Sequence, residues 1–239
     1  MNPAWPLVGL GLTGLVTYGT LNQNSSLWGP VIGRGPRYRK SIYLTFDDGP
    51  NPWATKSILE VLARESVPAT FFMVGRHVQM FPEIARQVLR GGHEIGNHTQ
   101  SHRKLHVLGP RAVRQEMESA QDAIRTTIGA RPASFRAPHG YRTPFVTRVA
   151  RELGYTTYGW TVGVWDSDRP GAEEIRRRVR DKLCPGAILL LHDGDGYDPH
   201  ADRMQTAEAL PGIIRDARER GYTFDSLSTA DTTVVRPDR

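Results

Sequence analysis

Among 239 residues there is one cysteine, Cys184. An internal disulfide and a thiolate metal cluster are therefore excluded, and its place beside Pro185, ahead of an apolar run, reads as a structural thiol. Charge is missing from the start of the chain, where the first acidic or basic side chain is Arg34. Internal repeats and low-complexity tracts are absent too, as is any nucleic-acid-binding signature. The net charge of +6 suits an anionic partner. No module accompanies it that would make that partner a nucleic acid; a membrane surface and an acidic cell-wall polymer are the other candidates.

The uncharged start is rich in Leu, Val and Gly over residues 5–21, a length that only just reaches across a bilayer. It lacks the basic opening and small-residue cleavage site of a signal peptide. Arg34, Arg37, Arg39 and Lys40 follow it and would favour a cytoplasmic domain. The expectation is an N-terminal membrane anchor of open orientation, continued by a linker over 22–36. Residues 1–39 then precede one catalytic-sized domain, 40–239. Gly9, Gly11 and Gly14 match the spacing of a dinucleotide fingerprint, but no adequate strand precedes them and no acidic residue follows at the needed distance.

From Ser41 onward short β-rich runs alternate with helical stretches. Strands are expected at 42–46, 70–74, 94–96, 133–135, 156–161 and 187–191, and helices at 54–65, 82–90, 110–128, 144–153, 172–183 and 203–220. The fifth helix shows the signals: Gly171 before it, Glu173 and Glu174 in its first turn, basic residues towards its end, then Pro185-Gly186. Alternating βα units imply an α/β protein with a parallel sheet, closed as a barrel or doubly wound.

Asp47, Asp48, His98, Arg136, Asp166 and His192 each fall at or just past the C-terminal end of an expected strand. In a βα barrel those ends converge on one face, where catalytic groups come from several strands. Asp47 and Asp48 leave a buried strand in different directions, so one can bind a metal while the other serves as a base. Alone, the run Asp47-Asp48-Gly49-Pro50 reads as well as a solvated turn. His98 and His102, four apart, are expected on one side of a helical turn and within reach of one ion. With a carboxylate they complete a set of two His and one Asp that leaves room for water and substrate. Leu190 and His192 share one side of a strand, which sets a proton donor over a small apolar pocket.

Four segments carry a resemblance: Thr45 to Pro50, His98 to His102, Arg136-Ala137-Pro138-His139-Gly140, and Leu190-Leu191-His192. In order and spacing they resemble the signature motifs of the polysaccharide deacetylases, carbohydrate esterase family four, from about Lys40 to Leu227. The resemblance implies a distorted (β/α) barrel of seven or eight strands, and N- or O-deacetylase activity on a carbohydrate polymer or oligomer of the cell envelope. It also implies a divalent metal, often zinc, with cobalt or another divalent ion as the alternative. It implies Asp47 as general base, Asp48, His98 and His102 as metal ligands, and Arg136 as the partner of Asp47. The His139 N–H would bind the oxyanion, Leu190 would line the acetyl pocket, and His192 would be the general acid, held by Asp166. The chain departs from the family pattern at His139, where Tyr is usual, and at Gly163 and Ser167 around Asp166, where Asp and Trp are usual. An acetylxylan O-deacetylase, a small-molecule amidase and a non-catalytic carbohydrate-binding protein are the other readings.

Overall fold

A computed structural model describes residues 4–230 of the chain, with side chains described from Thr13. The centre is β1 (Ser41–Asp47), buried along its whole length. Residues of one face, Ile42, Leu44 and Phe46, pack under the helices; Tyr43 faces the other way, towards Phe72 and Ile188. A strand apolar on both faces belongs in a parallel sheet covered on both sides. The sheet is completed by β2 (Ala69–Met73), β3 (Glu94–Asn97), β4 (Ser134–Phe135), β5 (Thr156–Thr157), β6 (Val162–Gly163), β7 (Ile188–His192) and β8 (Thr223–Phe224). The order is β5-β4-β3-β2-β1-β7-β6, with β8 beside the start of β1 and every pair parallel. The distorted (β/α) barrel of seven or eight strands expected from the resemblance is found, as a curled, open sheet of eight strands.

The helices are α1 (Ala4–Leu21), α2 (Ala54–Glu65), α3 (Gly75–Met80), α4 (Pro82–Arg90), α5 (Pro110–Ile128), α6 (Pro144–Glu152), α7 (Ala172–Lys182) and α8 (Met204–Glu219). In α2 the buried residues Ala54, Ile58, Val61 and Leu62 recur at helical spacing and face the main core. The Thr143 side chain accepts the Val146 N–H at the start of α6, and Pro144 follows it, a capping pair that fixes the helix start. Phe46 and Phe71 stack across β1 and β2 with ring centres 5.0 Å apart. Each such fully buried ring contributes roughly 1.5–3 kcal/mol.

Two expectations need correcting. The run 156–161 is not one strand: after β5 the chain bends away and re-enters as β6 beyond β7. The short α3 and β8 give no periodicity long enough to read. Residues 22–36 are not a free linker. Ile32 bridges to Tyr158 and Arg34 to Ala187, the Gly159 N–H donates to the Ile32 carbonyl, and the Thr161 hydroxyl donates to that of Gly33. The segment lies across the gap between β5 and the β6–β7 edge. Among the described residues no helix is long and apolar enough to cross a membrane. The spanning anchor expected over 5–21 falls in part on residues 4–12, whose side chains lie outside those described.

Candidate active site

All the expected site residues meet at the C-terminal ends of the strands. Asp47 ends β1, Asp48 follows it, His98 follows β3, Arg136 follows β4 and His192 ends β7. The register sets Asp47 beside Phe72 on one flank and His192 on the other. Residues 98–102 form an irregular turn, not the helical one expected; Thr99 and His102 both have positive φ. Asp48, His139 and Trp165 are also left-handed. Such backbone conformations cost about 1–3 kcal/mol each and gather where function needs an odd geometry.

Asp48 Oδ1 lies 3.0 Å from His102 Nε2 and 3.3 Å from His98 Nε2. One donor atom from each residue falls within 4.8 Å of the others, and all three residues are buried. Neither Asp48 Oδ1 nor His102 Nδ1 has a hydrogen-bond partner. His98 Nδ1 sits 2.8 Å from the Arg136 carbonyl, which fixes the tautomer and turns Nε2 towards the trio, the usual support of a metal-bound imidazole. Burial alone would raise Asp48, but His102 and His98 hold it well below the usual carboxylate range. Burial would lower His98, but Asp47 and Asp48 raise it. An ionised oxygen and two imidazole nitrogens with no proton shared in good geometry are a donor set that fits a divalent cation such as zinc.

Asp47 is a distinct group. Its Oδ1 accepts from Arg136 Nη1 at 2.7 Å, and its Oδ2 is 3.8 Å from His98 Nε2. Arg136 is fully buried and also donates to the Thr45 hydroxyl and the Gly159 carbonyl, with its guanidinium 4.2 Å over the Phe72 ring. Thr45 and Gly159 thus meet guanidinium donors beyond the one held by Asp47, while Nε has no hydrogen-bond partner. Across the cleft, His192 Nδ1 lies 2.8 Å from Asp166 Oδ1, and the His192 N–H donates to Asp166 Oδ2. Burial would lower His192, but Asp166 raises it to about 9. His139 goes the other way, lowered to about 4 by burial and by His102. The trio, Asp47, His139, Leu190 and His192 all line one cavity of about 200 Å³.

Sequence reasoning missed several supports. The Thr206 hydroxyl donates to Asp166, and Asp193 accepts from the Thr55 hydroxyl while packing on Gly49, where a Cβ would come within 2.1 Å of its carboxylate. Gly196 lies flat against His102, leaving 2.1 Å between an added Cβ and Nδ1. Tyr197 lies 3.2 Å through its hydroxyl from His139 Nε2. Gly196 and Tyr197 belong to a loop tied down by Arg203, which donates to Gly194, Ser167 and Asp195. These partners are far apart in the chain, and no local pattern marks them.

Fold and site together define an α/β protein whose ionisable side chains, with an Asp-His-His group that could hold a metal ion among them, gather at the strand ends of a curled parallel sheet. The polysaccharide deacetylase family model matches residues 34–158. A chitooligosaccharide deacetylase of Bradyrhizobium sp. (strain ANU 289) is 40% identical over 197 residues, covering 79% of this chain and 89% of the relative. A peptidoglycan-N-acetylglucosamine deacetylase of Bacillus cereus is 36% identical over 205 residues, covering 84% and 92%. Among solved structures, a CE4 family pseudoenzyme from Bacillus anthracis superposes with a TM-score of 0.77 at 28% identity, over 84% of this chain and 69% of that one. The chain belongs to the polysaccharide deacetylase family, carbohydrate esterase family four.

Proposed function

We propose that this protein hydrolyses the N-acetyl groups of an amino-sugar polymer, a chitin-like oligomer or peptidoglycan, and acts in the cell envelope. Similarity to a chitooligosaccharide deacetylase and a peptidoglycan deacetylase supports the substrate class. Likeness of fold alone does not carry activity, because a pseudoenzyme shares it. The observation that carries the reading is the complete set of groups around one cavity: a buried Asp-His-His trio, a separate carboxylate on Arg136, and an imidazole on Asp166.

An amide is a poor electrophile and an amine a poor leaving group, so both ends of the reaction need help. Asp48, His98 and His102 would hold a divalent cation, which would supply Lewis-acid charge and lower the pKa of a water. Asp47 takes the proton from the attacking water; Arg136 holds its carboxylate in place. The backbone N–H of His139 steadies the oxyanion. Leu190 packs on the acetyl methyl. His192, kept protonated by Asp166, gives its proton to the departing amine.

The test is acetate release from N-acetylglucosamine oligomers, peptidoglycan and acetylxylan, before and after exhaustive chelation. Release from the amino sugars, lost with the metal and restored by zinc or cobalt, is the expected result. Release from acetylxylan alone, or full activity with no metal by elemental analysis, overturns it.

A further inference from the structure

Two loops carry the Asp-His-His trio, and one short helix touches both. Asp48 stands in the turn after β1, and His98 and His102 in the turn after β3. The helix is α3, which leaves the end of β2, the strand between those two. Each of its first three residues bonds to one of these loops. The Gly75 N–H donates to the Thr99 carbonyl at 2.9 Å, and the Arg76 N–H to that of Gln100 at 3.0 Å. The His77 ring reaches the other loop, with Nδ1 2.9 Å from the Asp48 carbonyl oxygen. A carbonyl only accepts, so Nδ1 carries the proton. The Arg76 side chain extends the brace, donating to the Gly196 and Tyr197 carbonyls in the loop that lies against His102. This close approach needs Gly75, where an added Cβ would lie 2.8 Å from the Cα of Ala120.

Packing alone does not account for His77. The residue is fully buried, yet its Nε2 has no hydrogen-bond partner. An unmet buried nitrogen costs free energy that an apolar side chain in the same space would not. The bond to Asp48 is what requires a donor there. Asp48 requires it in turn. Its φ of 77° lies in the left-handed region, where a non-glycine residue stays only when its surroundings hold it. The Asp48 N–H donates to the Phe72 carbonyl at 3.2 Å, and the Val74 N–H to the Gly49 carbonyl at 2.9 Å. Gly194 packs on the same peptide group, so that an added Cβ would lie 2.4 Å from the Asp48 carbonyl oxygen. Fixing the N–H and the carbonyl of Asp48 fixes the direction of its Cα–Cβ bond. That direction sets where Oδ1 stands, 3.0 Å from His102 Nε2 and 3.3 Å from His98 Nε2.

We propose that His77 is a positioning residue for the metal site: by holding the Asp48 carbonyl it sets the carboxylate ligand within reach of an ion that His77 itself does not touch. The proposal rests on the metal-dependent reading above and adds to it that α3 braces both ligand-bearing loops. Hydrogen bonds that orient a metal ligand from behind are worth about 10–100-fold in metal affinity, and this one acts on the ligand's backbone.

The test is the zinc dissociation constant of the full chain, measured by competition with a chromophoric chelator on metal-free protein shown by thermal melting to be folded. The wild-type chain is compared with His77→Asn, His77→Gln and His77→Leu. Asparagine places its amide N–H where Nδ1 sits, glutamine places it where Nε2 sits, and leucine fills the space with no donor. The expected result is zinc binding about 10–100-fold weaker in His77→Leu and His77→Gln, with most of the loss restored in His77→Asn. If the leucine variant does not fold, the contrast between the asparagine and glutamine variants decides. Equal affinity in wild type, His77→Gln and any folded His77→Leu, or an asparagine variant as weak as the glutamine one, overturns the role of His77 and leaves the metal site standing. A wild-type chain that binds no zinc overturns both.

Discussion

Asp166→Asn is the substitution on which the mechanism turns. Asp166 is buried, and its two oxygens hold the ring and the N–H of His192 at 2.8 and 2.7 Å. Imidazole ordinarily titrates near 6.5, and Asp166 is the main influence lifting His192 to about 9 against its burial. That difference corresponds to roughly 3 kcal/mol of preference for the imidazolium. Asp47 and Asp48 contribute less. A general acid works only when protonated, so activity fails as pH rises through its pKa. Removing the Asp166 charge moves that failure to lower pH. At pH 8 a group titrating near 9 is about 90% protonated and one near 6.5 only about 3%, roughly a 30-fold loss of the working form. Poorer aim of the ring adds to this, so turnover should fall about 10²–10⁴-fold, the range for a positioned acid. The assay is the pH–rate profile of kcat/KM, with metal measured in the same samples. The alkaline limb should move down by more than one pH unit at unchanged metal content. Asp168→Asn, an exposed neighbour two positions on, should change the rate by no more than about twofold. An Asp166→Asn profile and rate equal to wild type would show that His192 is not the acid, or is oriented by another group.

The paired carboxylates should separate cleanly. Asp48→Asn should lose metal by elemental analysis, whereas Asp47→Asn should keep it and still lose about 10²–10⁴ of turnover; the reverse pattern would exchange their roles. Arg142→Ala should cost about 2–4 kcal/mol, because it empties a buried space and strands the Ser25 carbonyl. That corresponds to a melting point roughly 5–10 °C lower, with faster hydrogen exchange confined to residues 20–34. Unchanged melting and exchange would mean that the N-terminal segment hangs free after all.

How much of this was legible beforehand depended on whether the signal was local. The alternation of β-rich and helical runs is local, because a strand buried on both faces must be apolar throughout and an amphipathic helix must repeat at its own pitch. The positions of β1 to β4 and β7, six of the eight helices among the described residues and the parallel sheet could therefore be read directly. Asp47, Asp48, His98, Arg136 and His192 were legible for a related reason: strand ends converge in such a sheet, so a chemically reactive residue at each end marks a site. The helical turn assigned to His98 and His102 was wrong, since spacing alone does not distinguish a helix from an irregular turn with left-handed residues.

What the sequence determined by itself was which segments form elements and which strand ends carry chemistry; these follow from short-range sterics and the burial of apolar side chains. The tertiary structure alone decided which groups meet across the cleft. Thr45 on Arg136, Thr206 on Asp166 and Gly196 against His102 join positions 91, 40 and 94 residues apart, and nothing in the local sequence encodes such a meeting. The start of the chain is the plainest case. Residues 22–36 read as a linker, but packing lays them across the gap between β5 and the β6–β7 edge. Hydrophobic side chains specify that they must leave water, and only the fold specifies what they are buried against.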